Sequence, residues 1–478
     1  MDVLLIYPPS VDYDESNFFK RITSPYASYR TAPPLGIASI AGYLKSKGVD
    51  VGLVDMEVER VGLSYLDKLI SENKPKMVGV TVMSPLFSRA KTICEMVKEK
   101  FGKNDEKIIT FAGGAHANSK PDSLLTDAPF DFVIRGDGEY ITYELFDAIK
   151  NRAGDVSGIQ GISFIEDGKV IHQGKISVIK DLDALPLPAR ELLKNYRYFS
   201  ILAKNNPCTS IVTSRGCPFS CYFCAQSSNN NVFRQRDHVK AVDEMEWVVK
   251  DFGIRDFEIF DGTFNANRNW VLKFCRELSG RRLDSSWRCR CRTELFDEET
   301  TNAMKEAGCQ VVSLGIEAAT EKTLKFYKKP ASIEVLEEKL DIIKRSGIEI
   351  YAFFMLGSPT ESMDDLVTTI EFARKHCFDY ASFAVLTPFP GSDFYDMSIK
   401  EGWLVNKDII ESHIQLDSLN EAVFNHPKLS SIEIKNAYKL AYKRFYLNPR
   451  WLIRFFIKVL RDPIRYMKGF YFTIKNAL

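Results

Sequence analysis

The chain has 478 residues, a formal net charge of +1, 45% hydrophobic and 27% charged residues, and ten cysteines. That length exceeds one ordinary core, so two or three domains are expected. The even charge balance excludes a general nucleic-acid binder, and no run of about 18 apolar residues is present to span a membrane. Ten cysteines in so long a chain do not make a disulfide scaffold. The opening MDVLLIYPPS reads as a strand rather than a secretory signal, so a reducing, cytoplasmic setting is expected.

Residues 1–150 alternate short apolar runs with helical patterns. The strands read DVLLIYPP, VDVGLVD, KMVGVTV, KIITFAGG and FDFVIRGDGE. Continuous Val, Ile, Leu and Phe over four to eight residues mark strands covered on both faces, so this half is expected to be a doubly wound, flavodoxin- or Rossmann-like α/β domain. Residues 151–205 break the rhythm. FIEDGKVIHQG predicts a hairpin on an Asp-Gly turn, and the proline-punctuated LDALPLPARELL predicts a linker.

A second βα series fills 206–400. SIVTSRG, DFEIFDGTF, WRCRCRTEL, CQVVSLGIE, IEIYAFFMLG and YASFAVLTPFPG give six units, two short of a full barrel, so a partial (β/α)6 barrel of TIM type is expected. Residues 401–478 read as helical and basic. From 432 onward eleven Lys or Arg stand against Glu433 and Asp462. In RWLIRFFIKVLRD, Arg450, Arg454, Lys458 and Arg461 share one helical face opposite Trp, Leu, Ile and Phe. Two readings follow for 450–462: peripheral contact with an anionic membrane, or a helix docked on the barrel with its basic face in solvent.

The chemistry concentrates in TSRGCPFSCYFCAQ, residues 213–226, where Cys217, Cys221 and Cys224 are spaced four and then three. They follow the first barrel strand, at the end where parallel barrels build active sites. A [4Fe–4S] cluster is usually held by four thiolates, so three leave one iron open to a substrate. A zinc site completed by Cys208 or His238 is the competing reading, although zinc prefers paired Cys-x2–4-Cys knuckles.

Cys-x3-Cys-x-aromatic-Cys after a first barrel strand resembles the radical S-adenosylmethionine (SAM) enzymes. The resemblance implies a [4Fe–4S] cluster on the three cysteines, SAM on its open iron, and reductive cleavage of SAM to a 5′-deoxyadenosyl radical. It also implies SAM contacts at Phe223, at Asp261 in FDGTF, at Arg292 after the third strand, and at Ser313 and Glu317 in the fourth. A carboxylate suits ribose because it accepts from two hydroxyls. Arg292 and Glu317 are equally readable as an ion pair across barrel strands. LGSPTE (356–361) and TPFPGS (387–392) read as structural turns.

Strand ends of the first domain carry Ser84-Pro85-Leu86, Gly113-Gly114-Ala115-His116 and Arg135-Gly136-Asp137-Gly138-Glu139. Ser-x-Leu followed by Gly-Gly at these positions resembles a cobalamin-binding (B12-binding) domain, whose nucleotide tail side-chain-free glycines would admit. The resemblance implies contacts from Ser84, Leu86, Gly113, Gly114, His116, Gly136 and Glu139. One departure matters. Mutase-type domains carry Asp-x-His-x-x-Gly after the first strand, whereas this chain reads YPPSVDYDESNFF there and its first histidine is His116. Cobalamin bound base-off, without a histidine ligand, is therefore expected. His116 is equally readable as a loop cap.

Together these features are similar to the cobalamin-dependent radical SAM methyltransferases of class B. That implies methyl transfer from methylcobalamin to an unactivated carbon of a small-molecule or lipid-like substrate, with flavodoxin or ferredoxin as external electron donor. A radical cyclase acting on a porphyrin ester has the same domain order and stays open. A cobalamin-binding sensor with an inactive barrel is the reading outside enzymes, and it has no use for an open iron site. No catalytic acid or base is assigned; Tyr327, Tyr351 and His376 are available polar residues without a defined role.

Overall fold

A computed structural model describes residues 1–13, 31–102, 107–225, 232–329, 331–405, 424–462 and 466. The segment after the first strand in which the missing histidine motif would lie falls mostly outside them. The described residues form two compact units, Met1–Tyr198 and the part from Phe199 onward.

In the first unit, five strands run parallel: β1 (Val3–Tyr7), β2 (Val51–Asp55), β3 (Met77–Thr81), β4 (Ile109–Gly113) and β5 (Phe132–Ile134). Their order is β2-β1-β3-β4-β5, so it reverses between β1 and β3, as in flavodoxin-like sheets. Both faces are buried, and successive side chains serve opposite sides. Val3 and Leu5 pack with the helices Leu35–Ser46 and Gly138–Asn151. Leu4 and Ile6 pack with Leu63–Asn73 and Phe87–Phe101. The segment expected as a linker carries the hairpin β6 (Ile162–Glu166) and β7 (Lys169–Gln173), which extends this sheet antiparallel to β5. Its later part stays with the same unit. Ala189 N–H donates to Ala38 O (2.9 Å), and Tyr198 donates to Asp55 (2.9 Å), a carboxyl that burial pushes up to about 7.

The second unit is an open, all-parallel sheet of six strands: β8 (Thr209–Ile211), β11 (Asp256–Ile259), β12 (Ser286–Cys291), β13 (Cys309–Glu317), β14 (Glu349–Leu356) and β15 (Tyr380–Val385). The short ribbon β9 (Ser214–Arg215) and β10 (Arg234–Gln235) stands apart from it. The order β8-β11-β12-β13-β14-β15 follows the chain, with a helix after each of β11–β14, which is the expected partial barrel. Phe257, Ile259, Cys289, Cys291, Val312, Leu314, Ala352 and Phe354 form one core with those helices. Alternate residues face the other way and are polar or aromatic: Glu258, Arg290, Ser313, Tyr351 and Phe353. The inner wall is therefore fit to line a ligand rather than to be filled like a closed barrel.

Helix Ser431–Tyr446 covers the edge strand β15. Tyr446 Oη accepts from Ala381 N–H (3.1 Å) and donates to Ala381 O (2.6 Å), and Tyr442 Oη bonds Phe383 likewise at 3.3 Å. Two hydroxyls thus satisfy backbone groups that an edge strand leaves open. The next helix, Pro449–Arg461, corrects the docked-helix reading, which put its basic face in solvent. Arg454 and Lys458 turn inward: Arg454 donates to Cys377 O (2.6 Å) and Asp379 (3.1 Å), and Lys458 to Glu349 and Asp379 (2.7 Å each). Leu452, Ile453, Phe456, Ile457 and Leu460 are left outside, together with Arg450 and Arg461.

Candidate active site

The three cysteines lie on the loop that leaves β9, turned by Gly216 at φ +80°. All three are half-buried, whereas the other seven cysteines are buried. Cys217 Sγ lies 3.3 Å from Thr263 Oγ1, and Arg292 Nη1 donates to Cys221 Sγ at 3.5 Å. Cys224 N–H donates to Cys221 O (3.0 Å), which tightens the last turn. Burial raises the Cys221 thiol, against Lys329 and Arg292, which favour the thiolate.

Aromatic packing pins the loop. Tyr222 N–H donates to Tyr327 O (3.1 Å) and Tyr222 O accepts from Phe394 N–H (3.0 Å). The Phe223 and Tyr327 rings meet edge-on at 5.2 Å, and Tyr222 and Phe326 do so at 5.1 Å. Phe223, expected at SAM, is thus also part of the loop's own support, and the buried Tyr327 is its partner.

Asp261 is fully enclosed and spends both carboxylate oxygens on the loop's root. Oδ1 accepts from Thr213 N–H (2.8 Å), and Oδ2 from Thr213 Oγ1 (2.5 Å) and Ser214 Oγ (2.7 Å). Its pKa is raised by burial, which those donors oppose. Arg292 is buried after β12, ion-paired with Glu294, and its guanidinium lies 4.0 Å from the Phe219 ring centroid. Asn265 fixes its backbone with a pair of 2.9 Å bonds.

Ser313 is half-buried on the inner wall. Glu317, also on β13, holds φ +69° and pairs not with Arg292 but with buried Lys329 (3.0 Å), which donates also to Gly315 O (2.6 Å). Sequence reading missed Lys329, which belongs to no motif; nothing in the sequence announces a pair twelve positions apart across a turn. A Cβ on Gly315 would lie 2.2 Å from Glu317 Oε1 and 3.0 Å from Lys329 Nζ. Gly315→Ala is therefore expected to split this pair and cost about 1–3 kcal/mol, read as a lower melting temperature.

The competing zinc reading loses Cys208, one of the two fourth ligands it offered. Cys208 precedes β8, at the opposite end of the strand from the loop, and its Sγ accepts from Arg288 at 3.5 Å. Among the described residues, no three His, Cys, Asp or Glu side chains converge on a single-ion point. A cube of four irons asks for something else: thiolates at separate corners. LGSPTE closes as a turn, with Glu361 accepting from Gly357 N–H (2.9 Å) and Ser358 N–H (2.7 Å).

In the first unit the expected cobalamin residues gather at the carboxyl ends of β3, β4 and β5. Ser84 opens a 3-10 turn whose Leu86 is buried. A Cβ on Gly113 would meet nothing within 4 Å, so this backbone borders open space. Gly114 holds φ +107°, and a Cβ there would lie 2.8 Å from Val82 O. Gly136 bridges Ser177 and its N–H donates to Asn118 Oδ1 (2.6 Å); Glu139 is buried and accepts from Ser39 (2.7 Å).

His116 is buried with both ring nitrogens engaged: Nδ1 to Ser84 Oγ (3.0 Å) and Nε2 to Ser123 Oγ (3.1 Å). Ser123 gives its hydroxyl proton to Lys120 O (3.0 Å), so Nε2 carries the hydrogen and Nδ1 accepts from Ser84. Burial first, and Lys120 second, push His116 down to about 4. The unfolded chain, near 6.5, then takes up a proton that the folded chain refuses. The stability this histidine confers is present above 6.5 and is lost as pH falls toward 4, by about 2 kcal/mol near pH 5. His116→Gln keeps a donor and an acceptor but does not titrate. Its urea midpoint is expected to fall correspondingly less than the parent's between about pH 7 and pH 5.

A six-stranded parallel sheet in partial-barrel order bearing a three-cysteine loop, in one chain with a flavodoxin-like unit whose strand ends are bordered by glycines, defines the radical SAM enzymes that carry a cobalamin-type domain. The sequence matches the radical SAM superfamily model over residues 211–373 and the B12 binding domain model over 27–146. It is 29% identical to an uncharacterised methyltransferase of Pyrococcus horikoshii, covering 95% of this chain and 94% of that one. It is 32% identical to the anaerobic magnesium-protoporphyrin IX monomethyl ester cyclase of Rubrivivax gelatinosus, over 76% of this chain and 66% of that one. The tryptophan-bound radical SAM methyltransferase TsrM of Kitasatospora setae shares the fold, with a TM-score of 0.68 at 19% identity over 84% of this chain and 76% of that one. The chain belongs to the cobalamin-dependent radical SAM proteins and is a methyltransferase-like enzyme.

Proposed function

We propose that this enzyme transfers a methyl group to an unactivated carbon of a small-molecule or lipid-like substrate, using a [4Fe–4S] cluster, SAM and cobalamin, with reducing equivalents from an external flavodoxin- or ferredoxin-type donor. The observation that carries the reading is the half-buried Cys217, Cys221 and Cys224 loop at the carboxyl end of the barrel strands. These thiolates would hold three irons of the cluster. Arg292, Ser313 and Glu317, on adjoining strand ends, would bind SAM. Ser84, Leu86, Gly113, Gly114, Gly136 and Glu139 would border cobalamin, and the open space at Gly113 fits that role. When bound, these groups supply one-electron cleavage of SAM and a transferable methyl group; the protein orients them and excludes water. His116, spent on Ser84 and Ser123, would leave cobalamin without a histidine ligand.

Anaerobically reconstituted protein is expected to bind cobalamin with a base-off spectrum that His116→Gln leaves unchanged. With a reductant it is expected to convert SAM to both 5′-deoxyadenosine and S-adenosylhomocysteine, the second product marking methyl transfer. A second reading, radical cyclisation, is favoured by the 32% identical cyclase. Formation of 5′-deoxyadenosine without S-adenosylhomocysteine would decide for it. The absence of both would return the sensor reading.

A further inference from the structure

We propose that the helix Pro449–Arg461 seats its outer face in the headgroup region of an anionic lipid bilayer. Leu452, Ile453, Phe456, Ile457 and Leu460 form one continuous stripe on its outside, with Ile453 63%, Phe456 62% and Leu460 69% exposed. A contiguous apolar patch of this kind marks an interaction site on a protein surface.

The helix does not roll to hide the stripe, because its other face is bolted to the second unit. Trp451 is buried and donates to Asp379 O (3.2 Å); Asn448 donates to Arg374 O (3.0 Å). Arg454 and Lys458 hold Asp379 and Glu349 as described above. The charges that a simple amphipathic pattern would send to water are thus used to fix the orientation, and the apolar residues are presented outward.

What remains cationic says what the stripe meets. Arg450 and Arg461 are exposed and border it next to Ile457 on the helical wheel, and Lys439 and Lys443 are exposed on the preceding helix. Basic side chains beside an apolar stripe match anionic headgroups, to which each is attracted near such a surface. A second copy of this chain fits poorly: a two-fold pairing through this face would set Arg450 and Arg461 of both copies against each other. No described helix is long and apolar enough to cross a membrane, so the contact lies in the interface. The proposal needs no cofactor and stands or falls apart from the reaction.

The test is flotation of the full chain with vesicles of phosphatidylcholine, with and without phosphatidylglycerol. The parent protein is expected to float with the anionic vesicles. Ile453→Glu/Phe456→Glu, both at exposed positions, is expected to lower the bound fraction by about tenfold or more with an unchanged melting temperature. Arg450→Glu/Arg461→Glu is expected to remove the preference for phosphatidylglycerol. A parent that does not float, or an Ile453→Glu/Phe456→Glu variant that floats undiminished, overturns the proposal. So does a lipid-free dimer in sedimentation velocity that the same variant dissolves, since the stripe would then join two copies.

Discussion

Cys217→Ala, Cys221→Ala and Cys224→Ala are each expected to abolish reductive cleavage of SAM in anaerobically reconstituted protein, by roughly a thousandfold or more, because the cluster carries the electron and the protein has no substitute for it. Cys208→Ala is expected to keep most of that activity. The contrast follows from placement. Of ten cysteines only these three escape full burial, and they share one loop at the carboxyl ends of the strands. Cys208 lies before β8 and bonds Arg288; Cys289 and Cys291 lie on the outward, helix-covered face of β12 with their sulfurs 3.5 Å apart. The readouts are iron per chain, the visible charge-transfer band and 5′-deoxyadenosine released. Equal loss of iron and activity in Cys208→Ala would make it a fourth cluster ligand and would close the iron position left open for SAM.

The features legible in the sequence are local ones. Apolar runs separated by helical periodicity place β1–β5 and the barrel strands, and Asp167-Gly168 places the hairpin turn. The three-cysteine spacing is a property of one loop, so it survives without knowledge of the fold. Pairing between distant segments is not written that way. Nothing in Tyr442 and Tyr446 announces that their hydroxyls close the β15 edge 59 and 65 residues away. The same limit explains helix Pro449–Arg461. Its periodicity defines two faces, but which one meets the protein depends on Glu349 and Asp379, acids 109 and 79 positions from Lys458. Glu317 presents the same problem at the site. Its residue type suits ribose or an arginine, yet the cation that reaches it is Lys329, brought back by the helix Glu321–Phe326.

Asp261 is where residue type and placement diverge furthest, and its replacement separates two roles. As a contact for SAM, Asp261→Ala would weaken SAM binding and leave iron content and stability alone. The geometry predicts the reverse. The carboxylate is buried and accepts from Thr213 N–H, Thr213 Oγ1 and Ser214 Oγ, the residues from which the cysteine loop departs. Removing it leaves at least these three buried donors unsatisfied, at about 1–3 kcal/mol each and less than additively, so a loss of roughly 3–5 kcal/mol is expected. The loop's root would then wander, and Cys217, whose sulfur rests 3.3 Å from Thr263 Oγ1 two positions past Asp261, would move with it. Asp261→Ala is therefore expected to reconstitute with well under half the parent's iron and to melt at a lower temperature. Asp261→Asn retains one acceptor for Thr213 N–H and is expected to fall between. SAM affinity per bound cluster should stay near the parent's in both variants. A normal iron content with a raised SAM dissociation constant would instead make the carboxylate a direct SAM ligand and leave the loop anchored by its aromatic contacts with Phe326 and Tyr327.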